Sequence, residues 1–174
     1  MKNTHKFLLI VIVVGGCVGC DQVSKNIASN NLKHAEPIVY LDNFFRFQYA
    51  ENTGAFLSLG AKLSLPVRTF LFTILSGGLL LFLLVYLLKN RHFDFWQVLA
   101  LSLILGGGSS NLIDRIFKGG RVVDFMNMGI GSLRTGIFNF ADVSIMLGMG
   151  IIFFTIVQNR SKPNPPSSQA PDAD

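Results

Sequence analysis

The amino-acid sequence predicts a membrane all-α protein with four transmembrane helices and a small β-sheet. Half of the 174 residues are hydrophobic and only 14% are charged, whereas charged residues make up about a quarter of a soluble domain. Four apolar segments separated by polar turns are long enough, as helices, to cross a bilayer. Between the first two segments, aromatic residues recur at every second position, which is the period of a strand.

A single integral membrane domain is predicted over residues 1–158. Its four transmembrane helices are expected at about residues 7–28, 65–88, 95–115 and 138–157. Residues 159–174 are rich in Pro, Ser, Asn and Asp, which predicts a disordered tail.

The first apolar run is too short to cross the membrane by itself. From Phe7 to Cys20 it would measure about 21 Å as a helix at about 1.5 Å per residue. The hydrocarbon core of a bilayer is about 30 Å thick. The helix should therefore continue past Lys25 and hold Asp21 at or within the membrane boundary.

Two longer connections join the helices. Between the first and second helices, aromatic residues alternate from Phe45 to Tyr49 and Asn52-Thr53-Gly54 is a turn signal, so residues 37–59 should hold one or two strands. Such a sheet should lie on the membrane surface, because open sheet edges do not persist in hydrocarbon. Between the third and fourth helices, the glycine-rich residues 117–137 predict a loop with a short interfacial helix.

Composition and motifs count against two other classes of protein. The net charge of +5 is scattered rather than clustered, so no nucleic-acid partner is expected. Cys17-Val18-Gly19-Cys20 resembles the cleavage site of a lipoprotein precursor. That interpretation requires a soluble body after Cys20, whereas the remainder of this chain is mostly apolar.

The unusual polar residues should meet at one face of the membrane. Helices one and three end on the face where helices two and four begin. Ionisable groups at membrane depth are costly and commonly mark a functional site. The opposite halves of the helices look fully apolar, which makes an ion path through a small transporter or channel subunit the weaker alternative. The residues concerned are Asp21, Ser24, Lys25, Asn52, Asn111, Asp114, Arg115, Asp124, Asn139 and Asp142.

These side chains favour acid–base hydrolysis. The set contains no histidine or cysteine and the sequence has no H-E-x-x-H motif, so a zinc protease is not predicted, and neither a metal nor a cofactor is expected. Ser24 and Lys25 are adjacent and would point apart on a helix, which makes a Ser-Lys dyad a weak interpretation. Two neighbouring carboxyl groups can share a proton, one acting as base on water and the other as acid. Four candidates for such a pair stay open at this point: Asp21, Asp114, Asp124 and Asp142.

The chain resembles the bacterial lipoprotein signal peptidases, also called signal peptidase II. The resemblance covers roughly Phe7 to Val157 and implies an aspartic endopeptidase of the bacterial cytoplasmic membrane. Such an enzyme would cleave lipid-modified prolipoproteins before the diacylglyceryl-cysteine. Five blocks carry the resemblance in order: Asp21-Gln22-Val23-Ser24-Lys25, Asn52-Thr53-Gly54-Ala55-Phe56, Gly107-Gly108-Ser109-Ser110-Asn111-Leu112-Ile113-Asp114-Arg115, Val122-Val123-Asp124-Phe125 and Phe138-Asn139-Phe140-Ala141-Asp142.

The resemblance also implies roles for individual residues. Asp124 and Asp142 would be catalytic. Independently of the resemblance, Asp142 is expected to be the ionised member, because a helix dipole favours negative charge in its first turn. The expected partners are lipid-modified prolipoproteins and membrane lipid, with the chain itself a monomer. The residues expected to line or brace the site are Asp21, Lys25, Asn52, Gly54, Asn111, Asp114, Arg115, Asn139 and Ala141.

Charge alone leaves the orientation in the membrane open. The side that holds both termini carries fewer basic residues than the other, although its charges lie on short flanks and the first helix often dominates. The resemblance implies that both termini are cytoplasmic and that the active site lies near the outer face. The sheet and the connection between helices three and four would then be extracytoplasmic.

Overall fold

The computed structural model of this protein describes residues 2–54 and 59–160. Its helices are α1 (Asn3–Leu32), α2 (Leu65–Lys89), α3 (Phe95–Phe117) and α4 (Phe140–Arg160). Within the described residues, these four helices are long and apolar enough to cross a membrane, which confirms the predicted number of spans. The tail predicted to be disordered lies, from residue 161 onward, outside the described residues.

Helix α1 is longer than predicted at both ends. Its 30 residues correspond to about 45 Å, which exceeds the hydrocarbon core of about 30 Å. The final turns of α1 therefore extend beyond the core, where Ala28 and Leu32 pack against Phe125 and Met126 of the sheet. This contact joins the sheet to the helical bundle.

The sheet has four antiparallel strands in the order β1-β2-β3-β4. They are β1 (Ile38–Tyr40), β2 (Phe45–Asn52), β3 (Val122–Ile130) and β4 (Leu133–Arg134). Strands β1 and β2 confirm the prediction for residues 37–59. The pairing of β2 with β3 joins the two long connections into one structure at the end of the bundle.

The predicted loop and short helix between helices three and four is wrong, because β3 and β4 occupy that connection. Most of β3 is buried, including Asp124 and Asn127, so apolar and polar residues do not alternate along it. A period of two was therefore not visible in the sequence. Gly119 and Gly120 have positive φ angles of 64° and 80° and form the turn that leads into β3.

Helix α3 lies at the centre of the bundle and packs against the other three helices. Its glycines permit the close approach. A Cβ atom at Gly106 would lie 2.7 Å from the Cβ of Cys17 on α1, and one at Gly107 would lie 2.3 Å from the carbonyl oxygen of Ala141 on α4. Small residues at helix contacts are typical of membrane bundles, where backbone proximity supplies the packing energy.

The half of the bundle remote from the sheet is less apolar than predicted. Lys6 is buried near the start of α1, and its ammonium group donates to the carbonyl oxygens of Leu88 and Asn90 at 3.2 and 2.6 Å. The last carbonyl groups of a helix have no partner within the helix. Lys6 therefore caps the end of α2 and ties it to α1.

Candidate active site

A cavity of about 520 Å³ opens where the bundle meets the sheet. Polar side chains line the part next to the sheet: Asn52, Asn111, Arg115, Asp124 and Asp142. Apolar side chains from three helices line the rest: Leu79 and Leu80 on α2, Ile104 on α3, and Ile145, Met146 and Met149 on α4. The cavity therefore has carboxyl groups at one end and a wall of apolar side chains along the rest.

Asp142 is held by the first turn of α4. Its carboxylate accepts from the backbone N–H of Asn139 at 3.2 Å, and its own N–H donates to the side-chain oxygen of Asn139 at 2.9 Å. This reciprocal arrangement is a capping box, which satisfies two backbone donors that the helix leaves open. The other carboxylate oxygen accepts from the amide of Asn111 at 3.0 Å. The carboxylate is thus fixed in orientation where the helix dipole favours negative charge.

Asp124 lies on β3 and is almost completely buried. One carboxyl oxygen accepts from the amide of Asn139 at 2.6 Å, and the other accepts from the amide of Asn52 at 3.1 Å. Burial, and next the negative charge of Asp142, raise the pKa of Asp124 to about 7. Near neutral pH, the Asp124 carboxyl group can therefore carry a proton.

A buried charge cluster lies behind the two aspartates. The ammonium group of Lys25 is 2.6 Å from Asp21 and 3.1 Å from Asp114, and all three side chains are inaccessible to solvent. Lys118 supplies a second positive charge, 2.8 Å from Asp114. Two carboxylates and two ammonium groups compensate one another, which buried charges require.

The cluster also holds the backbone beside each candidate catalytic residue. Asp21 accepts from the N–H of Ala141 at 2.8 Å, in the first turn of α4 and one residue before Asp142. Asp114 accepts from the N–H of Val123 at 3.1 Å, one residue before Asp124 on β3. One lysine therefore joins two carboxylates that fix two different secondary-structure elements.

Lys25 is connected to Asp142 through one amide. Its ammonium group donates to the side-chain oxygen of Asn111 at 2.8 Å, and that orients the Asn111 amide nitrogen towards Asp142. The same Asn111 oxygen accepts from Asn139 at 3.2 Å. These bonds fix which end of the Asn111 amide faces the carboxylate.

Arg115 supplies the guanidinium group at the wall of the cavity. It donates to the carbonyl oxygen of Gly54 at 2.9 Å and lies over the ring of Phe72, 5.8 Å from its centre. The N–H of Gly54 donates to the side-chain oxygen of Asn52 at 2.9 Å, which forms a tight turn. Arg115 thereby holds the end of β2, and Asn52 with it, next to Asp124.

The structure brings together the residues that the resemblance assigned to the site, whereas the hydroxyl of Ser24 donates to the carbonyl oxygen of Asp21 within α1. The sequence analysis did not single out Gln22 and Ser110. The hydroxyl of Ser110 donates to Asp21 at 2.7 Å, and the amide of Gln22 donates to Ser110 at 2.9 Å and to Asp114 at 3.1 Å. Spacing could have indicated both, since Gln22 is three residues before Lys25 and Ser110 four before Asp114, which places each on the same helix face.

The fold and the site together define the class: a multi-pass membrane protein in which two carboxyl groups of unequal environment face one cavity. A model of the family described as signal peptidase (SPase) II matches residues 9–158. The lipoprotein signal peptidase of Syntrophus aciditrophicus (strain SB) is 33% identical and aligns over 89% of this chain and 96% of its own length. That of Halalkalibacterium halodurans is 33% identical over 82% of this chain and 87% of its own.

A solved structure has a similar fold. It is described as a bacterial membrane enzyme determined by the in meso method at 2.3 Å resolution, and it superposes with a TM-score of 0.75 and 28% identity. The alignment covers 95% of both chains. The chain belongs to the signal peptidase II family, and it is an aspartic protease of the membrane. The alternative of a transporter or channel subunit is not favoured.

Proposed function

We propose that Asp124 and Asp142 are the catalytic pair with which this enzyme removes signal peptides from diacylglyceryl-modified prolipoproteins, cleaving before the lipidated cysteine. The single observation that carries the proposal is the asymmetry of the two carboxyl groups. Asp142 is held by a helix N-terminus that favours its charge, whereas burial and that charge together raise the pKa of Asp124. The pair can therefore hold one proton near neutral pH.

This asymmetry assigns the steps of hydrolysis. Asp142, as carboxylate, removes a proton from a water molecule while the water oxygen bonds to the scissile carbonyl carbon. Asp124, as carboxylic acid, gives its proton to the carbonyl oxygen, so the tetrahedral intermediate is neutral. Asp142 then passes its proton to the leaving nitrogen as the C–N bond breaks, and Asp124 recovers its proton from a hydroxyl group of the intermediate. One water molecule is consumed and the pair returns to its starting protonation state.

The shape of the cavity supports a lipid-modified substrate. Its carboxyl groups lie at the level where the bundle meets the sheet, and its lower wall is apolar between α2 and α4. Acyl chains on the substrate cysteine could lie against Leu79, Leu80 and Met146 while the peptide bond rests beside the two aspartates. The guanidinium group of Arg115 lies at the polar end of the cavity, next to the sheet, and can orient the substrate backbone by donating to a carbonyl group.

We also propose the extent of the domain, its orientation in the membrane and its oligomeric state. Residues 1–158 form one peptidase domain in the inner membrane, both termini are cytoplasmic, and the site faces the outer side. The enzyme acts as a monomer with its prolipoprotein substrate and with membrane lipid.

Substitution of each aspartate tests the proposal. Asp124→Asn and Asp142→Asn keep the size and remove the acid–base function, so each purified variant should lose nearly all cleavage of a diacylglyceryl-modified prolipoprotein in detergent. Asp42→Asn is the matched control, because Asp42 is an exposed aspartate in the turn between β1 and β2, and it should cleave like the wild type. The proposal is wrong if either site variant cleaves as fast as the control while its helical content and thermal unfolding match the wild type.

A further inference from the structure

The end of the sheet remote from Asp124 carries an apolar surface that the described residues leave uncovered. The turn between β1 and β2 and the turn between β3 and β4 lie side by side there, since the N–H of Gly129 donates to the carbonyl oxygen of Phe44 at 2.8 Å. Leu41, Ile130 and Leu133 are 76%, 77% and 83% exposed. We call these three residues, with Phe44, the sheet tip.

The sheet tip continues into an apolar edge strand. All three residues of β1, Ile38, Val39 and Tyr40, are exposed, although β1 pairs with β2. Contiguous apolar surface of this kind is uncommon on parts of a protein that face water and marks an interaction site. The lipid-facing surfaces of the four helices account for other exposed apolar residues, but the tip lies on the sheet, outside those helices.

Two arginines beside the tip carry charge without a carboxylate partner among the described residues. Arg46 donates to the side-chain oxygen of Asn43, and Arg134 donates to Asn127 and to the carbonyl oxygen of Asn43. All of these acceptors are neutral. Asp42 is exposed in the turn between β1 and β2, and among the described residues no ion pair joins it to either arginine. The two guanidinium groups therefore retain their attraction for an anion.

We propose that the sheet tip inserts into the lipid leaflet on the side of the catalytic cavity, with Arg46 and Arg134 at the level of the phosphates of anionic lipids. Apolar side chains at the end of an element, with arginines directly behind them, fit the boundary between acyl chains and headgroups. Basic residues near such a surface are attracted to its negative potential. The tip thus forms a second, monotopic contact with the bilayer, independent of which residues catalyse.

Insertion can be measured with single tryptophans. The chain has one tryptophan, Trp96, so Trp96→Phe gives a background into which Leu133→Trp places a probe at the tip. His34→Trp is the control in an exposed polar loop, and Phe82→Trp, 68% exposed in the middle of α2, is the control that faces lipid. Each variant is reconstituted in vesicles of phosphatidylglycerol and phosphatidylcholine. Quenching is then compared between aqueous acrylamide and lipids with a doxyl group near the headgroup end of the acyl chain.

Insertion predicts that the doxyl lipids quench the Leu133→Trp probe severalfold more than they quench the His34→Trp probe, and that acrylamide quenches it less. If quenching of the Leu133→Trp probe by doxyl lipids is stronger in vesicles that contain phosphatidylglycerol than in vesicles of phosphatidylcholine alone, the added substitutions Arg46→Gln and Arg134→Gln should remove that difference. The proposal is overturned if acrylamide reaches Leu133→Trp as readily as His34→Trp. It is also overturned if both quenchers are excluded and the exclusion grows with the protein-to-lipid ratio, since a second copy of the chain would then cover the tip. The quenching experiment does not depend on cleavage, so its failure would leave the proposed catalytic pair unaffected.

Discussion

At the scale of single residues, the site depends on asparagines that give two similar carboxyl groups different surroundings. Asn139 contributes to both. Its side-chain oxygen and backbone N–H form the capping box with Asp142, and its side-chain nitrogen donates to Asp124 at 2.6 Å. A single asparagine therefore couples the positions of the two carboxyl groups.

The raised pKa of Asp124 predicts how cleavage depends on pH. Below about 7, Asp124 carries the proton that the mechanism requires; above that value the proton is lost and both members of the pair are charged. We expect kcat/KM to fall by about tenfold per pH unit above the pKa, as for any essential acid. The measurement is cleavage by detergent-solubilised enzyme from neutral to alkaline pH. A rate that stays constant or rises over this range would show that Asp124 does not act as the acid.

Lys25 is predicted to stabilise the fold, because it neutralises two buried carboxylates. Lys25→Met removes the positive charge between Asp21 and Asp114 and leaves buried carboxylates without a partner, which costs about 3–5 kcal/mol for a pair of this kind. Thermal unfolding in detergent should occur at a markedly lower temperature. Lys33→Met is the control, because its ion pair with Glu51 is partly exposed and contributes about 0–1 kcal/mol. Equal unfolding temperatures for the two variants would contradict this account.

At the scale of elements, the contact between α3 and α4 sets the position of the first turn of α4. Asp142 lies in that turn, and Gly107 on α3 allows the backbone of Ala141 to approach. Asp21 on α1 accepts from the N–H of Ala141 in the same place. Three helices thus meet at Ala141. A change in their spacing should therefore move the carboxylate of Asp142, the next residue.

Substitution of this glycine tests the role of the helix contact. In Gly107→Ala, the new methyl group would lie 2.3 Å from the carbonyl oxygen of Ala141, so α3 and α4 must separate. Overpacking of this type costs about 1–3 kcal/mol, and we expect lower unfolding temperature together with slower cleavage. Gly150→Ala is the matched control on α4, where a Cβ atom meets nothing within 4 Å. If Gly107→Ala behaves like Gly150→Ala in both measurements, the contact does not position Asp142.

At the scale of the whole molecule, the four spans place the sheet and the two termini at opposite ends of the bundle. The proposed orientation, with cytoplasmic termini, makes two predictions for the intact cell. Alkaline phosphatase fused after residue 158 should be inactive, and a cysteine introduced by His34→Cys should react with a membrane-impermeant maleimide from outside. Cys17→Ala and Cys20→Ala remove the native thiols for this experiment. An active fusion together with an unreactive cysteine would reverse the orientation.

The four spans, and the collection of polar residues at one end of the bundle, were predictable from the sequence. Both follow from local properties: the length of the apolar runs, and the direction in which consecutive spans cross the membrane. The strands at residues 37–59 were also predictable, because their aromatic residues alternate. The choice of Asp124 and Asp142 among four acidic candidates came from the resemblance to a family rather than from spacing, and their catalytic role stays a prediction.

The way in which the two long connections combine, and the partner of each buried charge, became visible only in the folded chain. Strand β3 was not visible in the sequence because it is covered on both faces and pairs with β2, about seventy residues earlier in the chain. The same holds for Lys25, whose role between Asp21 and Asp114 depends on α1 packing against α3. Periodicity reports which face of an element is buried, whereas the partner that buries it is set by contacts between residues far apart in the chain. The end of the bundle that holds the site was therefore predictable from the sequence. The different environments of its two carboxyl groups were not, because they depend on contacts between residues far apart in the chain.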